Sequence, residues 1–267
     1  MKTNIFKLAL IAMITILASC SNDDEMNNEL TGTNDLVIEF DNGVNGDDLI
    51  LGASSYINSN GESLKIDRFN YVVSNFVLID AEGNEYVYPK NESYFVISEE
   101  AGETEVILKD IPARKYTAIK FGIGVDQKKY QQGAEGQGDF LSIAEAHNMM
   151  WSWQAGYKFL NFEGQFTSAS VTEATNFKVH MGSHGSSLDN YKEVNLDLNT
   201  QALVSSELSP IVHLMVDANK VLDGQHKIKL SEKAVVMVDE VKSPQVAENL
   251  TGMFLVDHVH NGDASGH

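Results

Sequence analysis

One cysteine, four prolines, two tryptophans and half as many basic as acidic side chains (19 Lys and Arg against 38 Asp and Glu) mark this chain of 267 residues. A lone cysteine, Cys20, excludes any disulfide within the chain. The formal net charge of -19 argues against nucleic acid or an anionic lipid surface as partner, because both repel an acidic protein. The main apolar run, Leu8 to Ala18, is too short to cross a bilayer as a helix. There is no phosphate loop, no GxSxG elbow and no HExxH, and the glycines of FGIGVD do not form a dinucleotide fingerprint. The chain therefore reads as a protein without enzymatic turnover. DNGVNGDD (Asp41 to Asp48) has Gly43 where a calcium loop needs its second acidic or amide ligand and Gly52 where it needs Glu, so a turn is expected there.

What is present begins with an address. Lys2 and Lys7 precede the apolar run, which ends in Leu17-Ala18-Ser19-Cys20, the pattern of a bacterial lipobox. Residues 1–19 are expected to be a lipoprotein signal peptide and Cys20 the lipidated residue. Residues 20–35 follow as an acidic disordered tether, and the expected location is the outer membrane, facing the periplasm or the cell surface. A single domain should span 36–262, with 263–267 as a frayed tail that includes His267.

From Leu36 onward, short β-branched and aromatic runs alternate with Gly, Asn and Asp. The expected fold is all-β, an antiparallel β-sandwich with Greek-key-like connections and one long irregular insertion, Asp126 to Asn148, with a helical turn near Phe140–Ala146. Predicted strands are Leu36–Phe40, Tyr71–Ile79, Tyr86–Tyr88, Ser93–Ile97, Glu105–Leu108, Tyr116–Val125, Met149–Phe159, Asn176–Met181, Val194–Leu198, Ile211–Val216, His226–Leu230, Ala234–Val238 and Met253–His260. Ser243-Pro244 is suited to open a short helix through Asn249.

Both tryptophans, Trp151 and Trp153, lie in the segment MMWSWQAGYKFLNFEG. Met149, Trp151, Trp153, Ala155, Tyr157 and Phe159 share one parity, which predicts a strand with an aromatic face, and the phase flips near Phe159-Leu160 as at a bulge or strand end. Such a face reads first as sandwich core, and second as a contact surface for a glycan or protein. Among the eight histidines, His258 and His260 flank Val259, so on an extended backbone both project from one face and suit chelation. His180 has the parity opposite to Phe177, Val179 and Met181 and is expected to point away from them, with His184 in a turn that could approach the same point. His213 shares the parity of Ile211 and Met215 and reads as a satisfied core histidine, while His147 sits at the rim of the insertion. Imidazole donors favour zinc, copper, nickel or iron over calcium.

The ordered set YVVSNFVLID, AIKFGIGVD, MMWSWQAGYKF, FKVHMGSHG and AENLTGMFLVDHVHNG resembles the MbnP-like copper-binding protein family, in its lipoprotein branch. The resemblance implies an all-β protein outside the cytoplasm that handles copper, with a di-haem peroxidase-like protein as redox partner. It also implies a tryptophan oxidised to kynurenine that joins histidines around the ion. Carried over, it marks Trp151 or Trp153 as the modifiable residue, His180 in the H-x-G-S segment, and the His258-x-His260 ending as ligands; His184 is a further candidate ligand by its place in the turn and not by the resemblance. This chain departs from several relatives in having Val73-Ser74 where they carry a histidine, and Ser186-Ser187 where some carry cysteines. The expected function is storage or presentation of copper by a lipid-anchored protein. The alternative is a metal-free surface module for adhesion or glycan and protein binding.

Overall fold

The computed structural model describes residues 30–153, 156–185 and 187–263. The signal segment, Cys20, the tether up to residue 29 and the tail from 264, with His267, lie outside the described residues. In chain order the strands and α-helices are β1 (Thr33–Val44), β2 (Asp47–Asp48), β3 (Tyr56–Ile57), β4 (Ser63–Asp80), β5 (Glu85–Val87), β6 (Tyr94–Ser98), β7 (Glu105–Pro112), β8 (Arg114–Ile123), α1 (Gln127–Tyr130) and α2 (Phe140–Ala146). Then come β9 (Leu160–Thr167), β10 (Thr175–Met181), β11 (Lys192–Val204), β12 (Leu208–Asp217), β13 (Val235–Val236), α3 (Lys242–Leu250) and β14 (Phe254–Asp263).

These strands form an all-β sandwich of a five-stranded sheet, β14-β12-β1-β2 with β7 also on β1, and a nine-stranded sheet, β11-β8-β4-β9-β10-β13 with β3, β5 and β6 on β4. Alternation builds it: Leu36, Ile38 and Phe40 of β1 are fully buried while Val37 and Glu39 face outward in part. Phe40 and Phe254 of the smaller sheet meet Tyr71 and Phe121 of the larger one, with ring centroids 5.1 to 6.1 Å apart at steep angles. Such edge-to-face pairs add about 0.5–1.5 kcal/mol each beyond the area they bury. The Tyr71 hydroxyl donates to Asn42 Oδ1 at 3.0 Å, so its polar end is satisfied inside the core, and burial holds its phenol far above the ordinary range.

Most pairings are antiparallel, as expected, but β1 pairs β12 in parallel (Val37 opposite Ile211, Glu39 opposite His213) and β10 pairs β13 in parallel, so both sheets are mixed. The Asp41–Asp48 segment is a hairpin: Asn45 and Gly46, with φ of 55° and 90°, form the two-residue turn between β1 and β2, as Asn-Gly favours. The insertion carries α2 at Phe140–Ala146, and α3 carries Ser243 and Pro244 in its first turn.

Two expected strands are absent. His226–Leu230 is a loop, because the Asn249 side chain of α3 accepts from His226 N at 2.7 Å and donates to the carbonyls of Val221 and His226, satisfying backbone groups that a neighbouring strand would otherwise take. Met149–Phe159 is not a strand either; the described part of this segment folds back on itself, with Met150 bridged to Tyr157 and Trp151 N bonded to Gly156 O at 3.1 Å. Gly156 has φ of +127°, a conformation that side chains disfavour, and it turns the chain. The phase change near Phe159-Leu160 is the point where β9 begins.

Candidate metal centre

The antiparallel ladder between β9 and β10 ends at Met181 opposite Leu160 and is extended by Phe159 N donating to Met181 O at 2.6 Å. The residues before Leu160 and after Met181 therefore meet at one end of the nine-stranded sheet. On the first side is the folded-back tryptophan segment. On the other is a tight loop in which His184 bridges Leu188 and Gly185 adopts φ of +68°, while Asn190 donates to Gly182 O at 2.8 Å. Gly182 makes the close approach possible. A Cβ there would lie 2.3 Å from Tyr157 O and 3.3 Å from Trp151 Cζ2, so only a bare backbone lets the two segments pack together.

This junction gathers two indoles and two imidazoles. Trp151 is 5% exposed, and its ring centroid lies 5.5 Å from Trp153, 5.0 Å from His184 and 6.2 Å from His180. Trp153 is 54% exposed and lies nearly parallel to His184, at 6.0 Å and 12°. The two tryptophans share sequence parity but not environment, because the segment is a loop. Lys158 Nζ is 6.0 Å from the Trp151 centroid and donates to Asn148 O at 2.7 Å; burial lowers its pKa.

His180 is the most constrained member. Its Nε2 lies 2.6 Å from Glu163 Oε1, and Glu163 Oε2 is held by Arg68 at 3.3 Å. Burial, with help from the Lys158 charge and against the pull of Glu163, pushes the His180 pKa below 6.5; burial does the same for His184. A neutral His180 that donates from Nε2 to the carboxylate carries its lone pair on Nδ1. That Nδ1 is buried and has no hydrogen-bond partner among the described residues, and the same is true of Trp151 Nε1. The expectation that His180 points away from Phe177 and Val179 agrees with the strand, but it meets protein instead of solvent, being 5% exposed.

The other expected ligands sit elsewhere. His258 and His260 lie on the outward face of β14 in the five-stranded sheet, so the four candidate histidines divide into two groups, one on each sheet. His258 stacks on His213 of β12, which is a half-exposed sheet residue and not a core one. His147 pairs with Glu103 at 3.1 Å, and His226 with Glu248 at 2.5 Å. Among the described residues, no three side chains of His, Cys, Asp or Glu converge as a group able to hold a metal ion. Sequence reasoning missed Glu163, Gly182 and Lys158; Glu163 and His180 are near neighbours across the β9–β10 ladder, a pairing that alternation alone does not reveal.

The family model described as MbnP matches residues 33–239. Among solved structures, MbnP from Methylosinus trichosporium is similar over 87% of this chain and 99% of its own, at 14% identity and a TM-score of 0.48. No curated protein matches the chain. Because the family model spans well over half of the sequence, the chain belongs to the MbnP family and, through it, to a group of proteins related to copper.

Proposed function

We propose that this protein binds copper outside the cytoplasm, anchored to the outer membrane by lipid on Cys20, and stores or presents the ion with no turnover of its own. The ligands are His180 Nδ1 and the His184 imidazole, beside Trp151. The observation that carries this reading is the orphaned, buried Nδ1 of a histidine whose other nitrogen is tied to a carboxylate. A carboxylate–histidine pair of this kind fixes the tautomer and raises the basicity of the free nitrogen, as second partners do at metal sites.

The donor set fits copper in type, since imidazole suits it, and falls short in number: two imidazoles flank Trp151, and among the described residues no three His, Cys, Asp or Glu side chains group to hold an ion. A native indole offers no lone pair. Cleavage of the Trp151 indole C2–C3 bond, with both atoms of one dioxygen added under catalysis by a di-haem peroxidase-like partner, gives N-formylkynurenine; hydrolysis then releases the formyl group as formate and frees an aromatic amine that would supply the missing donor. Trp151 is favoured over Trp153 because it is buried and has both imidazoles around it. His258 and His260, on the other sheet, stand outside this ligand set.

Anaerobic copper(I) titration of the purified chain tests the reading. Binding should be lost in His180→Ala and His184→Ala; retention of full affinity in both variants sinks it. Mass spectrometry of the peptide containing Trp151 and Trp153, from protein isolated from its native host, tests the modification separately, and an unmodified peptide removes the oxidised donor. A second reading, glycan or protein binding by exposed indole, has Trp153 in its favour. It predicts that Trp153→Ala abolishes binding of a glycan panel while copper binding persists.

A further inference from the structure

We infer that the outward face of the five-stranded sheet carries a separate imidazole site, formed by His213 and His258, for a borderline transition-metal dication of the zinc or copper(II) class. It does not rest on the tryptophan site. The sheet register sets Glu39 of β1, His213 of β12 and His258 of β14 in one row. The two rings lie 4.1 Å apart, 12° from parallel. His213 Nδ1 is 2.5 Å from Glu39 Oε2, and His258 Nδ1 is 2.8 Å from Asp257 Oδ2.

A bulge in β14 makes this arrangement. His213 faces His258 but Leu214 faces Val256, so Asp257 is an extra residue in the strand. Phe254 is buried and Val256 packs on the core; regular alternation would turn the next even residue, His258, inward as well. The added residue resets the phase, so that Val259 packs on the core while His258 and His260 face out, and it places Asp257 beside the His258 ring. Core packing does not require that bulge: without it the strand would have needed only an apolar residue at 258.

The hydrogen bonds determine which nitrogens are available. His258 Nδ1 is hydrogen-bonded to Asp257, and the Glu39 carboxylate lies 2.5 Å from His213 Nδ1, so both carboxylates stand on the Nδ1 side and the Nε2 atoms of the two rings, on adjacent strands, have no protein partner among the described residues. Orientation of both ligands by carboxylates is the outer-shell pattern of metal-binding histidine. Two imidazoles make an open, exchangeable site whose remaining positions are filled by water, and the rings must tilt out of their stack to share one ion. The nearby charges are Glu39, Asp257 and Glu105, the last opposite Glu39 on β7, all of the sign that attracts a cation.

Zinc chloride titration of the full chain, followed by nitrogen-15 imidazole spectra, reads the site directly. The Nε2 signals of His213 and His258 should shift together, and should still do so in the His180→Ala/His184→Ala variant, where the copper reading predicts loss of copper binding. His213→Ala and His258→Ala should each weaken the zinc affinity of that variant at least tenfold, with unchanged melting temperature. Immobile His213 and His258 signals at saturating zinc, or zinc affinity unchanged from the parent in both single variants, overturn the inference. Loss of copper binding at His180 with the zinc response intact, or the reverse, separates the two proposals.

Discussion

The two histidine groups differ in how their rings are held in place. At the tryptophan junction, burial does it: His180 is 5% exposed, one carboxylate orients it, and desolvation keeps the ring neutral. On the outer sheet face, carboxylates and stacking do it, with side-chain exposures of 23% for His213 and 56% for His258. The same residue type thus sits in a low-dielectric environment that penalises charge, and in a wet one where salt screens what the carboxylates contribute. Mutations, pH and salt should therefore act unequally on the two.

The largest expected contrast is in stability. Trp151→Ala should cost about 3–5 kcal/mol, the range for truncating a large buried aromatic, measured by urea denaturation. Trp153→Ala, in the exposed position two residues on, should cost less than about 1 kcal/mol, the range for surface substitutions. Equal losses would mean that the loop does not distinguish the indoles. Next is Gly182→Ala, whose Cβ would meet backbone at 2.3 Å from Tyr157 O; forcing the segments apart should cost about 1–3 kcal/mol. Gly262→Ala, where the nearest atom is His260 Nε2 at 3.1 Å on an exposed side chain, should leave the melting temperature nearly unchanged.

A third contrast concerns ligand orientation. Glu163→Gln should weaken copper binding by about 10- to 100-fold, the usual loss when a histidine's outer-shell carboxylate is removed, whereas it should leave zinc binding at His213 and His258 untouched. The smallest effect is in the pH dependence. His180 and His184 have pKa values lowered from 6.5 in the folded chain, so as pH falls past 6.5 the unfolded chain takes up protons that the folded chain refuses. Stability should decline below pH 6.5, down to the folded-state values, and should be independent of these two groups well above it. His180→Asn should flatten that slope in denaturation curves collected on both sides of pH 6.5; an unchanged slope would assign it to other groups.

The sequence showed strands where alternation was regular and local. β1, β6 and β10 and the helix at Phe140–Ala146 were legible because one buried face imposes a period that neighbours repeat. Met149 to Tyr157 misled because apolar residues at alternate positions also suit a folded-back loop, and the deciding feature was the backbone angle at Gly156. His180 was assigned the correct side of its strand and the wrong surroundings, since what covers that side comes from the segments around Trp151 and His184. His213 was misplaced for the converse reason: it shares a face with Ile211 and Met215, but that face is the outer one. The pairing of β1 with β12 leaves no local trace, as partners so far apart in the chain do not shape each other's sequence neighbourhood.

That pairing also sets a timetable. Leu36, Ile38 and Phe40 emerge early in synthesis, yet the strand that flanks β1 on the parallel side and the Phe254 ring that caps Phe40 arrive near the end. Closing such distant contacts is slow, and early oily side chains wait unprotected in the meantime. A nascent polypeptide built this way gains little by folding from its first residues onward, and it suits a route in which the whole chain is held open and released to fold in a single act.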